Sequence, residues 1–335
     1  MSASCRYLSM LQVARRATII TMLSHRMLRR AFLKTLPALG LLTACTKSAT
    51  IKLALNWKPE PEFGGFYGAP YSKFGLAVDI LPGGTGTPTV QMVGAGSVDF
   101  GIVSADEIIL ARSHGNDVVA LFAVFEDSPT GIMAHASRNL TSIGDVLKDG
   151  TLALESGLPF ARLLKRKFGF SHVKIVPSPG GDITSFLHDE KFSQQCYLTS
   201  EPIAARRKGA SVKVFAVSEI GYDPYTTVLA ISGESLRKNP DRAKAMVAAV
   251  REGWLSYLAD PKAVNLQMHQ LNPTMDLDTF AEIAEVQKPF IETNATRRNG
   301  LGTMSRERWE TLIAQFRDLG DISQTIPPED CFRVL

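Results

Sequence analysis

The sequence predicts an α/β protein built as two lobes, and three observations support this prediction. Segments typical of strands, loops and helices alternate from residue 51 onward, which favours a sheet covered by helices. Residues 118–125 are apolar throughout, as in a strand buried within a parallel sheet. If residues 1–44 are a removable leader, the 335-residue chain keeps 291 residues, which suits two lobes better than one small domain.

The N-terminal segment has the order of a bacterial secretion signal. Basic residues precede an apolar stretch over 35–44, and a small residue leads directly into Cys45. This junction resembles a lipobox, in which the cysteine becomes the lipidated first residue. We therefore expect removal of residues 1–44 and membrane attachment through Cys45. An ordinary signal peptide is the alternative, and Arg29-Arg30 is also similar to a twin-arginine export motif.

Composition excludes several classes of function. Residues 1–44 hold seven basic and no acidic residues, so their removal changes the formal charge from +4 to −3, and nucleic acid is not an expected partner. The sequence has no CxxC or HExxH motif, and no metal site is expected. Cys196 and Cys331 are far apart in sequence, and whether they pair stays open.

In the first lobe, strands and helices are expected in alternation. Gly75 suits the end of a helix, and Thr87 suits an N-cap with Pro88 as the first helical residue. Ser104 and Glu107 have the spacing of a capping box. The predicted strands are 51–55, 78–81, 98–103 and 118–125, and the predicted helices are 66–74, 88–94 and 105–114.

The second lobe repeats this alternation, and the chain then returns to the first lobe. The apolar residues of 226–231 predict the return strand, and the periodicity beyond it predicts helices. The predicted strands of the second lobe are 151–154, 173–176, 195–198 and 212–217. The predicted helices are 159–168 and 182–188 in that lobe, and 241–259, 276–290 and 305–318 after the return.

Several short motifs resemble those of a known family. They include Leu55-Asn56-Trp57, Pro82-Gly83-Gly84 and the run from Val93 to Ile102, which contains Asp99-Phe100-Gly101. Over residues 50–320 the chain resembles solute-binding proteins of bacterial ABC importers. Within that group it is most similar to binders of thiamine pyrimidine precursors and to the related yeast pyrimidine synthase.

The resemblance implies a type II periplasmic-binding-protein fold with a ligand cleft between the lobes. It places residues 50–133 and 226–335 in lobe I and residues 134–225 in lobe II. It also implies an ABC permease as partner. Glu62-Phe63 stands where the precursor binders and the synthase carry an Asn-His pair. The clustered cysteines and the histidine that the synthase reaction uses have no counterpart, which argues against that activity.

Candidate ligand-binding residues of lobe I follow its strands, because ligands of open α/β sheets bind at the carboxyl ends of strands. Trp57 offers an apolar face for stacking on a planar ligand, and Tyr67 offers a hydroxyl. The glycine-rich loop before residue 88 exposes N–H groups next to a helix N-terminus. Packing, turn formation and helix capping are the alternative roles. The candidates are Trp57, Phe63, Tyr67, Gly84, Thr85 and Ser104.

Lobe II supplies matching strand-to-helix junctions. Glu201 is suited to bind an amine or a ring N–H of the ligand, and exposure to solvent is its alternative. Two tyrosines lie near the return crossover, where they contact either the hinge or the ligand. The candidates are Ser156, Gly181, Asp182, Glu201, Tyr222 and Tyr225.

Together these features predict a lipid-anchored solute-binding protein of the periplasm or cell surface. It delivers a small, planar heteroaromatic ligand, similar to a vitamin precursor, to an ABC permease. We expect a monomer with no catalytic residues and no cofactor. The alternatives are a binder of a small sulfonate or other anion, which would use the helix N-termini, and a sensory binding module.

Overall fold

The computed structural model describes residues 50–155 and 157–335. The predicted leader over 1–44, Cys45 and Ser156 lie outside these ranges. No helix among the described residues has both the length and the apolar character needed to cross a membrane.

The described residues form ten strands and fifteen α-helices. The strands are β1 (Ile51–Ala54), β2 (Val78–Leu81), β3 (Phe100–Val103), β4 (Val118–Phe125), β5 (Thr130–His135), β6 (Thr151–Leu154), β7 (Lys174–Pro177), β8 (Phe192–Tyr197), β9 (Val212–Ala216) and β10 (Thr226–Ser232). The helices are α1 (Gly64–Tyr67), α2 (Thr89–Gly94), α3 (Ala105–Ser113), α4 (Ile143–Val146), α5 (Pro159–Phe168), α6 (Thr184–His188), α7 (Glu201–Arg207), α8 (Gly233–Lys238), α9 (Pro240–Ala259), α10 (Lys262–Leu271), α11 (Leu277–Val286), α12 (Lys288–Ile291), α13 (Asn294–Asn299), α14 (Arg306–Leu319) and α15 (Pro328–Cys331).

The first sheet has the strand order β2-β1-β3-β10-β4. Strand β1 pairs in parallel with β2 and β3, whereas β10 runs antiparallel to both β3 and β4. The expectation that β4 lies in a parallel sheet is therefore wrong. Its eight residues are all buried because other elements cover both faces of this edge strand, so burial alone did not reveal strand direction.

The second sheet has the strand order β7-β6-β8-β5-β9. Strand β6 is parallel to β7 and β8, and β5 is antiparallel to β8 and β9. Each sheet thus contains one antiparallel strand that arrives through a crossover, β10 in the first and β5 in the second. Two crossover segments, residues 126–129 and 217–225, join the lobes.

Helices that follow the return strand cover the first sheet. Phe66 and Trp254 pack edge to face with ring centroids 6.0 Å apart, and both are fully buried. A β-carbon at Gly65 would overlap the Trp254 indole, so glycine lets α1 approach α9 closely. The loop after β1 is thereby held against the most aromatic part of the core.

Prolines account for two differences from the predicted helices. The helix expected over 66–74 is interrupted by Gly68-Ala69-Pro70, because proline disfavours helical backbone in the preceding residue. The helix expected over 276–290 ends at Val286, and a short helix containing Pro289 follows. The N-cap expected at Thr87 is also wrong: α2 begins at Thr89, and Thr87 Oγ1 accepts a hydrogen bond from Gly84 N at 2.9 Å.

Candidate functional site

A cavity of about 220 Å³ lies between the two lobes. Loops at the carboxyl ends of β1 and β3 contribute one wall, and residues at the ends of β6 and β8 contribute the other. Both lobes therefore contact whatever occupies this cleft. Its lining comprises Asn56, Trp57, Glu60, Glu62, Gly84, Gly86, Thr87, Ser104, Asp106, Glu107, Thr130, Glu155, Leu158, Pro159, Phe160, Ser178, Gly181, Gln195, Cys196, Tyr197, Ser200, Glu201, Tyr222, Pro224 and Thr226.

Trp57 from lobe I lies against a glycine turn of lobe II. Gly180 and Gly181 have φ values of +65° and +86°, a conformation that favours glycine. A β-carbon at Gly181 would lie 3.4 Å from Trp57 Cζ2 and 3.8 Å from Glu201 Oε1, and one at Gly180 would overlap Thr85. The turn therefore lets the lobes meet around the indole, with a carboxylate beside it.

Glu60 and Glu62 enter the cleft on the loop after β1. Residues at two helix ends of lobe I hold this loop through its backbone: Asn272 Nδ2 donates to Pro59 O at 3.2 Å, and Gln287 Nε2 donates to Pro61 O at 3.0 Å. Ser200 Oγ donates to Glu60 Oε2 at 3.4 Å across the cleft. The glutamates are thus positioned by two buried amides rather than by basic partners.

A second group of carboxylates follows β3. Glu107 Oε2 accepts hydrogen bonds from Ser104 N at 2.8 Å and from Ser104 Oγ at 2.9 Å, as a capping-box glutamate does. Asp106 Oδ2 accepts a hydrogen bond from Tyr222 OH at 2.7 Å. From lobe II, Glu201 Oε2 accepts a hydrogen bond from Tyr197 N at 2.9 Å.

Burial raises the pKa of several of these carboxyl groups. It raises the pKa of Glu60 to about 7, with a further contribution from the charge of Glu201. Burial, and then the charges of Glu60 and Glu201, raise the pKa of Glu62 well above its ordinary value. For Glu107 the pKa rises to about 7, and for Glu201 to about 6, in both cases mainly through burial.

Among the described residues that line the cleft, none is basic. None of its six acidic residues forms a salt bridge within the described part of the chain. Across residues 50–155 and 157–335, no three histidine, cysteine, aspartate or glutamate side chains form a group suited to hold a metal ion. Cys196 and Cys331 are both free and buried.

Six of the residues predicted to bind ligand line the cavity, and Thr85 lies beside it against Gly180. The structure brings these residues together from six separate segments, whereas the sequence placed each only at a strand end or near the return crossover. The six are Trp57, Gly84, Ser104, Gly181, Glu201 and Tyr222.

Four predicted residues lie outside the cavity lining. Phe63 is fully buried in the core of lobe I, and Tyr67 packs against the same core. Asp182 is exposed and accepts a hydrogen bond from Thr184 N at 2.6 Å, so it stabilises its own turn. Tyr225 is buried, and its hydroxyl accepts a hydrogen bond from Ser305 N at 2.9 Å, which places it in the packing of the crossover.

Sequence reasoning missed most of the acidic residues of the cleft. A usable signal existed, because Glu155 directly follows β6, and the acidic pairs Glu60/Glu62 and Asp106/Glu107 follow β1 and β3 within a few residues. Glu107 had been assigned only to helix capping. In the fold it both caps the helix and lines the cleft.

Curated proteins of two binding specificities are similar to this chain. The riboflavin-binding protein RibY of Chloroflexus aurantiacus is 23% identical over 303 residues, covering 84% of each chain. A formylaminopyrimidine-binding protein of Halalkalibacterium halodurans is 22% identical over 300 residues, covering 84% of this chain and 89% of that protein. A 4-amino-5-hydroxymethyl-2-methylpyrimidine phosphate synthase of Saccharomyces cerevisiae is 21% identical over 247 residues, covering 68% of this chain and 73% of the synthase.

The fold is that of periplasmic binding proteins. The alkanesulfonate-binding protein SsuA of Xanthomonas axonopodis pv. citri, solved bound to MOPS, superimposes with a TM-score of 0.64 at 12% identity, covering 86% of this chain and 99% of SsuA. A family model described as NMT1/THI5-like matches residues 61–264, more than half of the sequence. The protein is therefore a member of the NMT1/THI5-like family.

Proposed function

We propose that this protein is an extracytoplasmic, lipid-anchored solute-binding protein that captures a small, planar heteroaromatic molecule and delivers it to an ABC permease. The observation that supports this proposal most directly is the cleft, to which both lobes contribute and in which Trp57 and Glu201 both lie close to the Gly181 turn. Riboflavin and formylaminopyrimidine, named for two relatives, are both planar heteroaromatic molecules. An indole face suits such rings.

The mechanism is capture by closure. A ligand that contacts both walls binds the closed arrangement better than an open one, and it shifts the equilibrium by that difference in affinity. Hinge closure of this kind is the recorded behaviour of periplasmic binding proteins. The two crossover segments, residues 126–129 and 217–225, are the places where the backbone rotates. No chemical step is part of this proposal, although a synthase is among the relatives.

The cellular setting belongs to the same proposal and rests on the sequence. The order of basic residues, apolar stretch and Cys45 favours a lipoprotein of the periplasm or cell surface. We propose that the protein acts as a monomer and meets the permease with its ligand enclosed.

Native mass spectrometry tests capture without assuming a ligand. The protein beginning at Thr46 would be purified, weighed intact and then denatured, since the described residues 50–155 and 157–335 belong to one compact unit. We expect a released heteroaromatic molecule at about one per chain. An empty protein that also binds neither riboflavin nor formylaminopyrimidine in calorimetry would contradict the proposed ligand class.

Substitution of Trp57 tests the cleft itself. Trp57→Ala should weaken binding of a confirmed ligand by about 10- to 100-fold, because a buried aromatic contact of this size contributes roughly 1.5–3 kcal/mol. Glu201→Ala should also weaken it, while Trp57→Phe, which keeps an aromatic face, should lose less. Unchanged affinity in both alanine variants, with an unchanged melting temperature, would remove these residues from the site.

A further inference from the structure

Resting on the proposed capture function, we propose that the ligand of this cleft is positively charged at neutral pH, that Glu60, Glu62 and Glu201 hold its cationic N–H groups, and that anions are excluded. The distribution of charge over the walls of the cavity supports this assignment, which neither the family nor the relatives' ligands specify.

The cleft is strongly unbalanced in charge. Within the part of the chain that the structure describes, six acidic residues line it, together with no lysine, arginine or histidine. They form two groups: Glu60 and Glu201 act electrostatically on Glu62, while Asp106 and Glu155 act on Glu107. Like charges held this close in a partly dry cavity repel one another, and a bound cation relieves the repulsion.

Two of the helix N-termini at the cleft, those of α3 and α7, are not open to an anion. The first turn of α3 already has the Glu107 carboxylate on Ser104 N at 2.8 Å. Helix α7 begins with Glu201 itself. Carboxylates of the chain therefore occupy the positive ends of both helices, which in an anion-binding site would face the ligand.

Glu62 is the carboxylate with the least compensation. Within the described residues the Glu62 side chain has neither a hydrogen-bond donor nor a salt-bridge partner. Glu60 accepts a long hydrogen bond from Ser200 Oγ at 3.4 Å and has the Trp57 side chain as a second donor. An unpaired charge away from bulk water is unfavourable unless a donor reaches it. An ammonium or protonated ring nitrogen would supply charge-assisted hydrogen bonds to both glutamates.

The basic residue nearest to this group lies at the surface. Lys58 is exposed, its Nζ is 5.6 Å from the centre of the Trp57 ring, and it is not part of the lining. Its charge lowers the pKa of Glu60, but burial and Glu201 outweigh it. The inner carboxylates thus remain for the ligand to neutralise.

A matched series of probes tests ligand charge at constant ring shape. The probes are 4-amino-2-methylpyrimidines carrying at position 5 an aminomethyl, a hydroxymethyl or a phosphooxymethyl group, which are cationic, neutral and anionic at pH 7. Calorimetry should rank the cation first, at least about tenfold tighter than the neutral probe, since a charged hydrogen bond contributes roughly 1.5–3 kcal/mol. The anion should bind most weakly.

A substitution that preserves side-chain size tests whether Glu62 binds the cationic group of the ligand. Glu62→Gln should reduce affinity for the aminomethyl probe about tenfold and leave the hydroxymethyl probe almost unchanged. The matched control is Glu190→Gln, which removes an exposed carboxylate outside the cleft and should change neither affinity. Melting temperatures of both variants establish that they are folded.

The outcomes separate this inference from capture itself. Equal binding of all three probes, or preference for the phosphooxymethyl probe, overturns the cationic ligand and leaves capture standing. Failure of all three to bind overturns the cationic ligand as well. Native mass spectrometry then decides whether capture is retained: a molecule released at about one per chain supports it, and an empty protein does not.

Discussion

The interior of the cleft and its border differ in how acidic side chains are neutralised. The border is defined here by the ion pairs that Arg207 and Arg162 of lobe II form with lobe I. At the border, Arg207 of lobe II lies 3.3 Å from Asp276 and 3.4 Å from Asp278 of lobe I, and Arg162 lies 2.8 Å from Asp321. Every one of these carboxylates has a basic partner. In the interior, six acidic residues have none within the described residues.

This difference separates two contributions to closure. The border carries balanced ion pairs, so its contacts hold the lobes together whether or not a ligand is present. The acidic residues of the interior have no basic partners within the described residues. Closure of the cleft without a ligand therefore brings like charges together. The chain has arginines near the cleft, but they pair outside it, which is why we assign the interior charge to ligand recognition.

The substitution expected to change stability most is at Arg308, which forms ion pairs with both crossover segments. Arg308 of α14 contacts both crossovers: one guanidinium nitrogen is 3.1 Å from Glu126 Oε1, and the other is 3.0 Å from Asp223 Oδ2 and 2.8 Å from Asp223 O. Its guanidinium also lies 4.2 Å from the centre of the Tyr225 ring. Arg308→Ala should lower the free energy of unfolding by about 3 kcal/mol, because it leaves two partly buried carboxylates unpaired. Urea denaturation measures this.

Arg308→Lys is the control for that prediction. Lysine keeps the charge but not the fork of donors that contacts both crossovers, so an intermediate loss is expected. A loss below about 0.5 kcal/mol in the alanine variant would show that the crossovers are held by packing alone.

Much of this arrangement follows from local sequence signals. Alternating strand and helix patterns located most elements, the helix predicted over 159–168 has those bounds in the structure, and the strand beginning at Thr226 does return to the first sheet. Trp57 and Glu201, predicted from their positions after strands, both line the cavity. These are short-range properties that a single segment reveals.

The acidic interior depends on information that no single segment contains. Glu62 and Glu201 lie 139 positions apart, and only the meeting of the two lobes makes them neighbours. Phe63 and Glu62 are adjacent, yet Phe63 enters the core and Glu62 the cleft, because Gln287, between α11 and α12, fixes the backbone of this loop. Side-chain direction in such a loop is a tertiary property.

A pH series sharpens the comparison by titrating the two regions separately. Burial raises the pKa of Glu60 and of Glu107 to about 7, so between pH 4.5 and 7 the folded protein binds protons that the unfolded chain has lost. Stability of the ligand-free protein should therefore fall as pH rises through this window. From pH 5.5 to 7.5 we expect each of these two carboxyl groups to contribute a loss of about 2 kcal/mol in the free energy of unfolding, measured as a fall in melting temperature.

Border carboxylates should not contribute in that window. Although burial acts to raise the pKa of Asp276, hydrogen bonds from Thr279 and the charge of Arg207 lower it overall, so its contribution is lost only as pH falls below its ordinary value of 3.8. Glu60→Gln removes one titrating group and should flatten the profile and raise stability at pH 7.5. A profile unchanged by this substitution would place the pH dependence elsewhere.

The smallest effect is expected at the border itself. Arg207 is partly exposed, and its partners are more exposed still, so Arg207→Ala should cost about 0.5 kcal/mol at low salt and less at 1 M NaCl, where charges are screened beyond about 3 Å. Lys73→Ala is the control, since it removes an exposed pair to Glu252 that lies within lobe I. A loss above about 2 kcal/mol in the free energy of unfolding for Arg207→Ala alone would show that closure depends on the ion pairs of the border. Equal small losses would leave the charge of the ligand as the main electrostatic term that favours closure.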